Sequence, residues 1–77
     1  MTTKIDFWSD HIDAPKAIFA NLKDDTIKAR MVAWLEQQSS EACDLWACKT
    51  VIDSTQWIET RFCFVKQNGL ILEESVE

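Results

Sequence analysis

The chain has one glycine, one proline, one histidine and no tyrosine among its 77 residues. So little glycine excludes glycine-rich phosphate loops and long flexible linkers, and few positions are free to take a positive φ. Imidazole chemistry is confined to His11. Basic residues are sparse as well: 8 Lys and Arg face 13 Asp and Glu, for a formal net charge of −5. Proteins that grip nucleic acid or anionic membranes do so through a basic footprint, so direct binding to either is not expected. No apolar run approaches the roughly 20 residues that cross a bilayer. Three cysteines (Cys43, Cys48 and Cys63) cannot all pair within one chain, and Met1-Thr2-Thr3-Lys4 shows no signal-peptide pattern. Both features predict reduced thiols and a cytoplasmic location.

Apolar residues are plentiful. They make up 47% of the chain, with four Trp and four Phe, which fits a folded single domain over residues 1–77 rather than a disordered segment. The clearest local signal is Asn68-Gly69 between two runs of β-formers, the pattern of a type I′ hairpin. A two-residue turn there pairs Gln67 with Leu70, Val65 with Leu72 and Phe64 with Glu73. Alternation then puts Ile58, Phe62, Phe64 and Ile71 on one sheet face. The opposite face carries Trp57, Cys63, Val65, Leu70 and Leu72. Both faces are apolar, and so short a chain has helix enough to cover only one of them.

Upstream, Asp13 and Pro15 open an expected short helix over residues 14–22, with Ala14, Ile18, Phe19 and Leu22 as its apolar side. A second helix is predicted over 26–38, carrying the stripe Ile27, Met31, Trp34 and Leu35 and preceded by Asp24 and Asp25, which suit its positive end. Residues 45–52 alternate as a strand, with Glu41–Asp44 as the connection before it and Asp53-Ser54-Thr55 as a turn after it. The expected fold is α+β: two N-terminal helices packed on a three-stranded antiparallel meander, with residues 2–8 as an extra edge strand or an arm across the sheet.

Catalytic signals are weak. Asp6, Asp10, His11 and Asp13 gather ligand-type side chains, but their spacing matches no established metal loop and the glycine of a tight calcium loop is missing. Cys43 and Cys48 are five apart, the wrong spacing for a Cys-x-x-Cys site, and no second pair completes a zinc tetrahedron. Cys63 has no base near it in sequence. No catalytic residue, metal or cofactor is therefore assigned, and no enzymatic activity is expected.

The expected function is protein–protein interaction. Trp57, Val65, Leu70 and Leu72 on the second sheet face, flanked by Glu73 and Glu74, form the candidate partner-binding set. The acidic balance suits a protein partner with a basic surface. Very small acidic chains of this kind are often phage or mobile-element inhibitors of nucleic-acid-processing machinery, such as restriction or CRISPR complexes, and that analogy sets the leading expectation. The alternatives are an immunity protein or antitoxin, and a structural homodimer with sheets packed face to face.

Overall fold

The computed structural model describes residues 2–16 and 22–76. The alternation at the start of the chain forms a full strand, β1 (Thr2–Trp8), followed by the helix α1 (Asp24–Glu36) and the strands β2 (Ala42–Asp53), β3 (Gln56–Gln67) and β4 (Leu70–Glu74). The strands make one antiparallel sheet in the order β1-β2-β3-β4. Asn68 and Gly69 take φ of 52° and 80°, the left-handed values of a I′ turn. The β3–β4 register is the one the sequence implies: Gln67 with Leu70, Val65 with Leu72, Phe64 with Glu73.

The architecture corrects the expected fold. The sheet has four strands rather than three, and one helix, not two, lies among the described residues. The expected first helix over 14–22 falls largely on residues 17–21, which lie outside the described part. Residues 14–16 and 22–23 on either side of it are not helical. Pro15 disfavours helical backbone at Ala14, and Ile12 and Ala14 instead pack against the core. The expected connection at Glu41–Asp44 is also corrected, because β2 already begins at Ala42. Cys43 turns inward there and Asp44 outward, continuing the alternation of the strand.

α1 lies on one face of the sheet. Ile27, Met31 and Leu35 are fully buried against Ile5, Leu45, Ala47, Phe62 and Phe64. Two lysines of the sheet hold the ends of this helix. Lys49 Nζ donates to Leu22 O (3.0 Å) and pairs with Asp24 Oδ1 (3.1 Å) at the N-terminus. Lys66 Nζ donates to Leu35 O (3.2 Å) and Gln38 O (2.7 Å) at the C-terminus, where the last turn has no basic residue of its own. Replacing Lys66 with Ala is expected to cost about 1–2 kcal/mol in urea unfolding, from loss of a charge-assisted C-cap.

The helix covers only part of the sheet. Thirteen helical residues span roughly 20 Å, whereas the 12-residue strands β2 and β3 each run about 40 Å. The longest dimension of the molecule is 44 Å. The distal part of the β2–β3 hairpin therefore projects past the helix. Ile58 has the inward-facing parity expected of it but sits in this overhang and is 53% exposed, so it is not core. Ile5, Leu45 and Ala47 take its place beneath the helix.

Candidate functional site

Among the described residues no helix covers the face of the sheet away from α1, although Cys63 on that face is buried. The register brings three bands of side chains together on it. At the hairpin tip, Trp57 lies across from Ile52, and Trp57 is 70% exposed. Next comes a polar band in which β1, β2 and β3 contribute Lys4, Thr50 and Glu59, then Asp6, Cys48 and Arg61. Here Lys4 pairs with Asp6 (3.6 Å) and Arg61 with Glu59 (3.5 Å), so the band's charges are locally balanced. At the far end, Trp8 and Trp46 stack with centroids 6.1 Å apart, Glu74 lies level with them across Cys63, and Val65, Leu72 and Leu70 lie beyond. Leu70 is 67% exposed and Leu72 60%. An apolar surface of this kind left in water on a small chain is a physical feature of interaction sites.

Of the six residues selected from sequence, Val65, Leu70, Leu72 and Glu74 come together at this far corner. Trp57 sits on the same face but ten strand positions from Gln67, the partner of Leu70, roughly 33 Å away along β3. Glu73 lies on the helix side, paired across the strands with Phe64 and held by Lys28 at 2.9 Å. Lys28 also sits 5.7 Å above the Phe62 ring, so Glu73 helps lock the helix to the sheet.

A polar hub at the corner of the open face was not foreseen. Asp44 Oδ1 accepts from Ser9 Oγ (2.9 Å), from the Asp10 amide (3.2 Å) and from His11 Nδ1 at 3.0 Å. Its other oxygen accepts from Trp46 Nε1 at 3.1 Å. Ser9 Oγ in turn accepts the amides of His11 and Ile12, folding residues 9–12 into a compact turn beside the end of β1. Burial pushes the Asp44 carboxyl up, but the hydrogen bonds from His11, Trp46, Ser9 and Asp10 outweigh it and hold the group down at about 2. The hydrogen bond and the charge of Asp44 raise His11 above its ordinary value. The only sequence signal for this hub was Asp44 itself, a poor strand former inside an apolar alternation.

The hub bears on the cysteine and metal readings. His11 points to Asp44 rather than to Asp10 or Asp13, and Asp6 turns to Lys4. No group of three or more His, Cys, Asp or Glu side chains is gathered at one point among the described residues. Cys63 is almost fully buried, and that burial, with the charges of Asp44 and Glu74, pushes its thiol up to about 11. At neutral pH such a thiol is protonated and a poor nucleophile. Cys43 is buried on the helix side, whereas Cys48 is partly exposed in the polar band. With an excess of a thiol reagent, Cys48 is expected to react first, and Cys43 and Cys63 only on unfolding. Equal rates at all three positions would contradict this burial pattern.

No described helix is long and apolar enough to cross a membrane. No protein-family model, curated protein or solved structure shows significant similarity to this chain.

Proposed function

We propose that the protein is a binding module without catalysis of its own, which docks another protein on the bare face of its sheet in a reducing cytoplasm. The observation that carries this reading is the exposure of Trp57, Leu70 and Leu72 on the face that α1 leaves uncovered. Trp is a strong anchor because it desolvates a large area while freezing few rotors. The net charge of −5 supports a partner with a basic surface. Glu59 in the polar band and Glu74 at the end of β4 share this face and suit the edge of such a contact. Inhibition of a nucleic-acid-processing protein by occupying its basic cleft is the most specific form of this proposal, and neutralisation of a toxin is the second.

Trp57→Ala is expected to weaken the complex by roughly 2 kcal/mol, read by calorimetry or surface-binding kinetics. It should leave the fold intact, since Trp57 is 70% exposed on the face away from the core. Association should slow as salt rises while dissociation changes little. Salt-independent binding would remove the basic-partner part of the proposal. Unfolding of the Trp57→Ala protein would remove its docking role.

A further inference from the structure

The strand register sorts the open face into crosswise rows. Thr2, Ile52 and Trp57 form one row, and Lys4, Thr50 and Glu59 the next. Then come Asp6, Cys48 and Arg61, followed by Trp8, Trp46, Cys63 and Glu74. Two polar rows thus lie between two largely apolar ones. The charges of the polar rows alternate in both directions. Along the strands, Lys4 sits beside Asp6 and Glu59 beside Arg61. Across the sheet, Lys4 is level with Glu59 and Asp6 with Arg61. These four side chains are between 41% and 62% exposed. They sum to zero although the chain carries −5, so the acidic excess lies outside the polar rows. A patch charged in this pattern is complementary to itself when turned about a two-fold axis.

We infer that a second copy of the free chain packs face to face on these rows, about a two-fold axis running crosswise between the Glu59 and Arg61 rows. The axis exchanges the two polar rows. Lys4 then faces the second copy's Asp6, and Glu59 the second copy's Arg61, so each in-chain pair becomes part of a ring of four alternating charges. The axis also lays the Trp57 row on the second copy's Trp8–Trp46 row, covering the most exposed tryptophan. Glu74, the remaining charge in these rows, meets the row of Trp57, which carries none. Aligned sheets cross at about 30°, which moves the polar rows sideways by under ~2 Å and the outer rows by about one strand spacing, so both matches survive. Sliding one copy by two residues sets Arg61 on Arg61 and Asp6 on Asp6, or Glu59 on Glu59 and Lys4 on Lys4. A two-fold along β2 keeps opposite signs together, but it stacks Trp46 on Trp46 and gives Trp57 only Thr2.

The four rows span roughly 20 Å along the strands and three strands about 15 Å across them. A footprint of about 300 Å² is well below the roughly 800 Å² per partner of a stable complex, so the dimer is weak and reversible. Leu70 and Leu72 lie past the second copy's hairpin tip and stay open. The dimer covers much of the face assigned above to a protein partner, and such a partner displaces it. It does not rest on that docking proposal, because it concerns the free chain alone, and its failure leaves the docking proposal standing.

Sedimentation equilibrium of the full chain from roughly 1 μM to 1 mM, with two charge reversals, tests the inference. Wild type should be a reversible dimer. Arg61→Glu makes positions 59 and 61 both acidic, and Glu59→Arg makes both basic. Either variant alone should dimerise at least about tenfold more weakly than wild type, because like charges meet across the axis. Mixed in equal amounts, the two should associate at least as tightly as wild type, since each carboxylate at these positions then faces a guanidinium of the other chain. The axis along β2 gives no such rescue, because the reversed groups would meet Asp6 and Lys4. A wild-type chain that stays monomeric throughout overturns the inference. So do variants that dimerise unchanged, or a mixture that stays monomeric. If a reversal unfolds the chain, wild type alone decides by NMR. Its Trp57 indole signal should shift with concentration while that of Trp34 stays fixed, and a Trp57 signal that does not move overturns the inference.

Discussion

Phe64→Ala should cost about 3–5 kcal/mol, the transfer-plus-cavity range for a buried phenylalanine, enough to unfold much of so small a domain at room temperature. Phe64 is 7% exposed and lies in the cluster with Leu45, Phe62 and the α1 residues Ile27, Met31 and Leu35. The informative control is Ile58→Ala. Ile58 lies on the same strand with the same parity, but beyond the reach of the helix, and its truncation should cost less than about 1 kcal/mol. Urea unfolding of the two variants measures the contrast directly. Similar losses at both positions would mean that the helix, or some other part of the chain, covers the hairpin overhang.

Asp44→Ala should cost about 2–3 kcal/mol near pH 5–6, because it strips the acceptor from Trp46 Nε1, Ser9 Oγ and the Asp10 amide. The pH dependence of this loss has two limbs. Asp44 titrates at about 2 in the folded chain against an ordinary 3.8, so its contribution is present above pH 3.8 and disappears as pH falls toward 2. His11 is raised in the folded chain, so its contribution is complete below its unfolded value of 6.5 and fades as pH climbs through the folded value. The stability gap between wild type and Asp44→Ala should therefore be widest between about pH 4 and 6.5 and shrink on both sides. Since His11 is the only histidine, its ring resonances report the second limb without ambiguity, and Asp44→Ala should return its titration toward the ordinary value. A gap that does not change with pH would leave the hub a neutral hydrogen-bond cluster.

The parts of this fold legible in the sequence are those fixed by local rules. Asn68-Gly69 demands positive φ at two successive positions, which fixed the turn and hence the β3–β4 register residue by residue. Side-chain alternation then separated Phe62 and Phe64 from Trp57, Val65 and Leu72, and it split Ile5 and Phe7 from Lys4 and Asp6 in β1. The stripe of α1 was legible as well: Ile27, Met31 and Leu35 are its fully buried residues.

What escaped was set by length and by contacts distant in sequence. Parity says which way Ile58 points but not whether a 13-residue helix reaches it. Lys49 and Lys66 look like interruptions of apolar patterns, yet each finds a helix end some 27 to 31 residues away. Asp44 reads as a strand breaker because the donors that hold it come from Ser9, Asp10 and His11, more than 30 residues upstream. Glu73 and Glu74 are adjacent in sequence, so they face opposite sides of the sheet. Only Glu74 shares the open face with Leu72.

The four tryptophans make the docking proposal directly measurable. Trp57, Trp8 and Trp46 lie on the open face, whereas Trp34 is on α1 and packs against the core from the other side. Their indole N–H signals in a ¹⁵N-labelled chain should therefore separate the two faces when titrated with a protein co-purified from the native source. The Trp57 signal should shift or broaden in proportion to complex formed, with Trp8 and Trp46 following, while Trp34 stays in place. A stoichiometric complex that moves Trp34 and leaves Trp57 unchanged would contradict the docking proposal, because the partner would then sit on the helix side and the bare sheet face would have no part in binding.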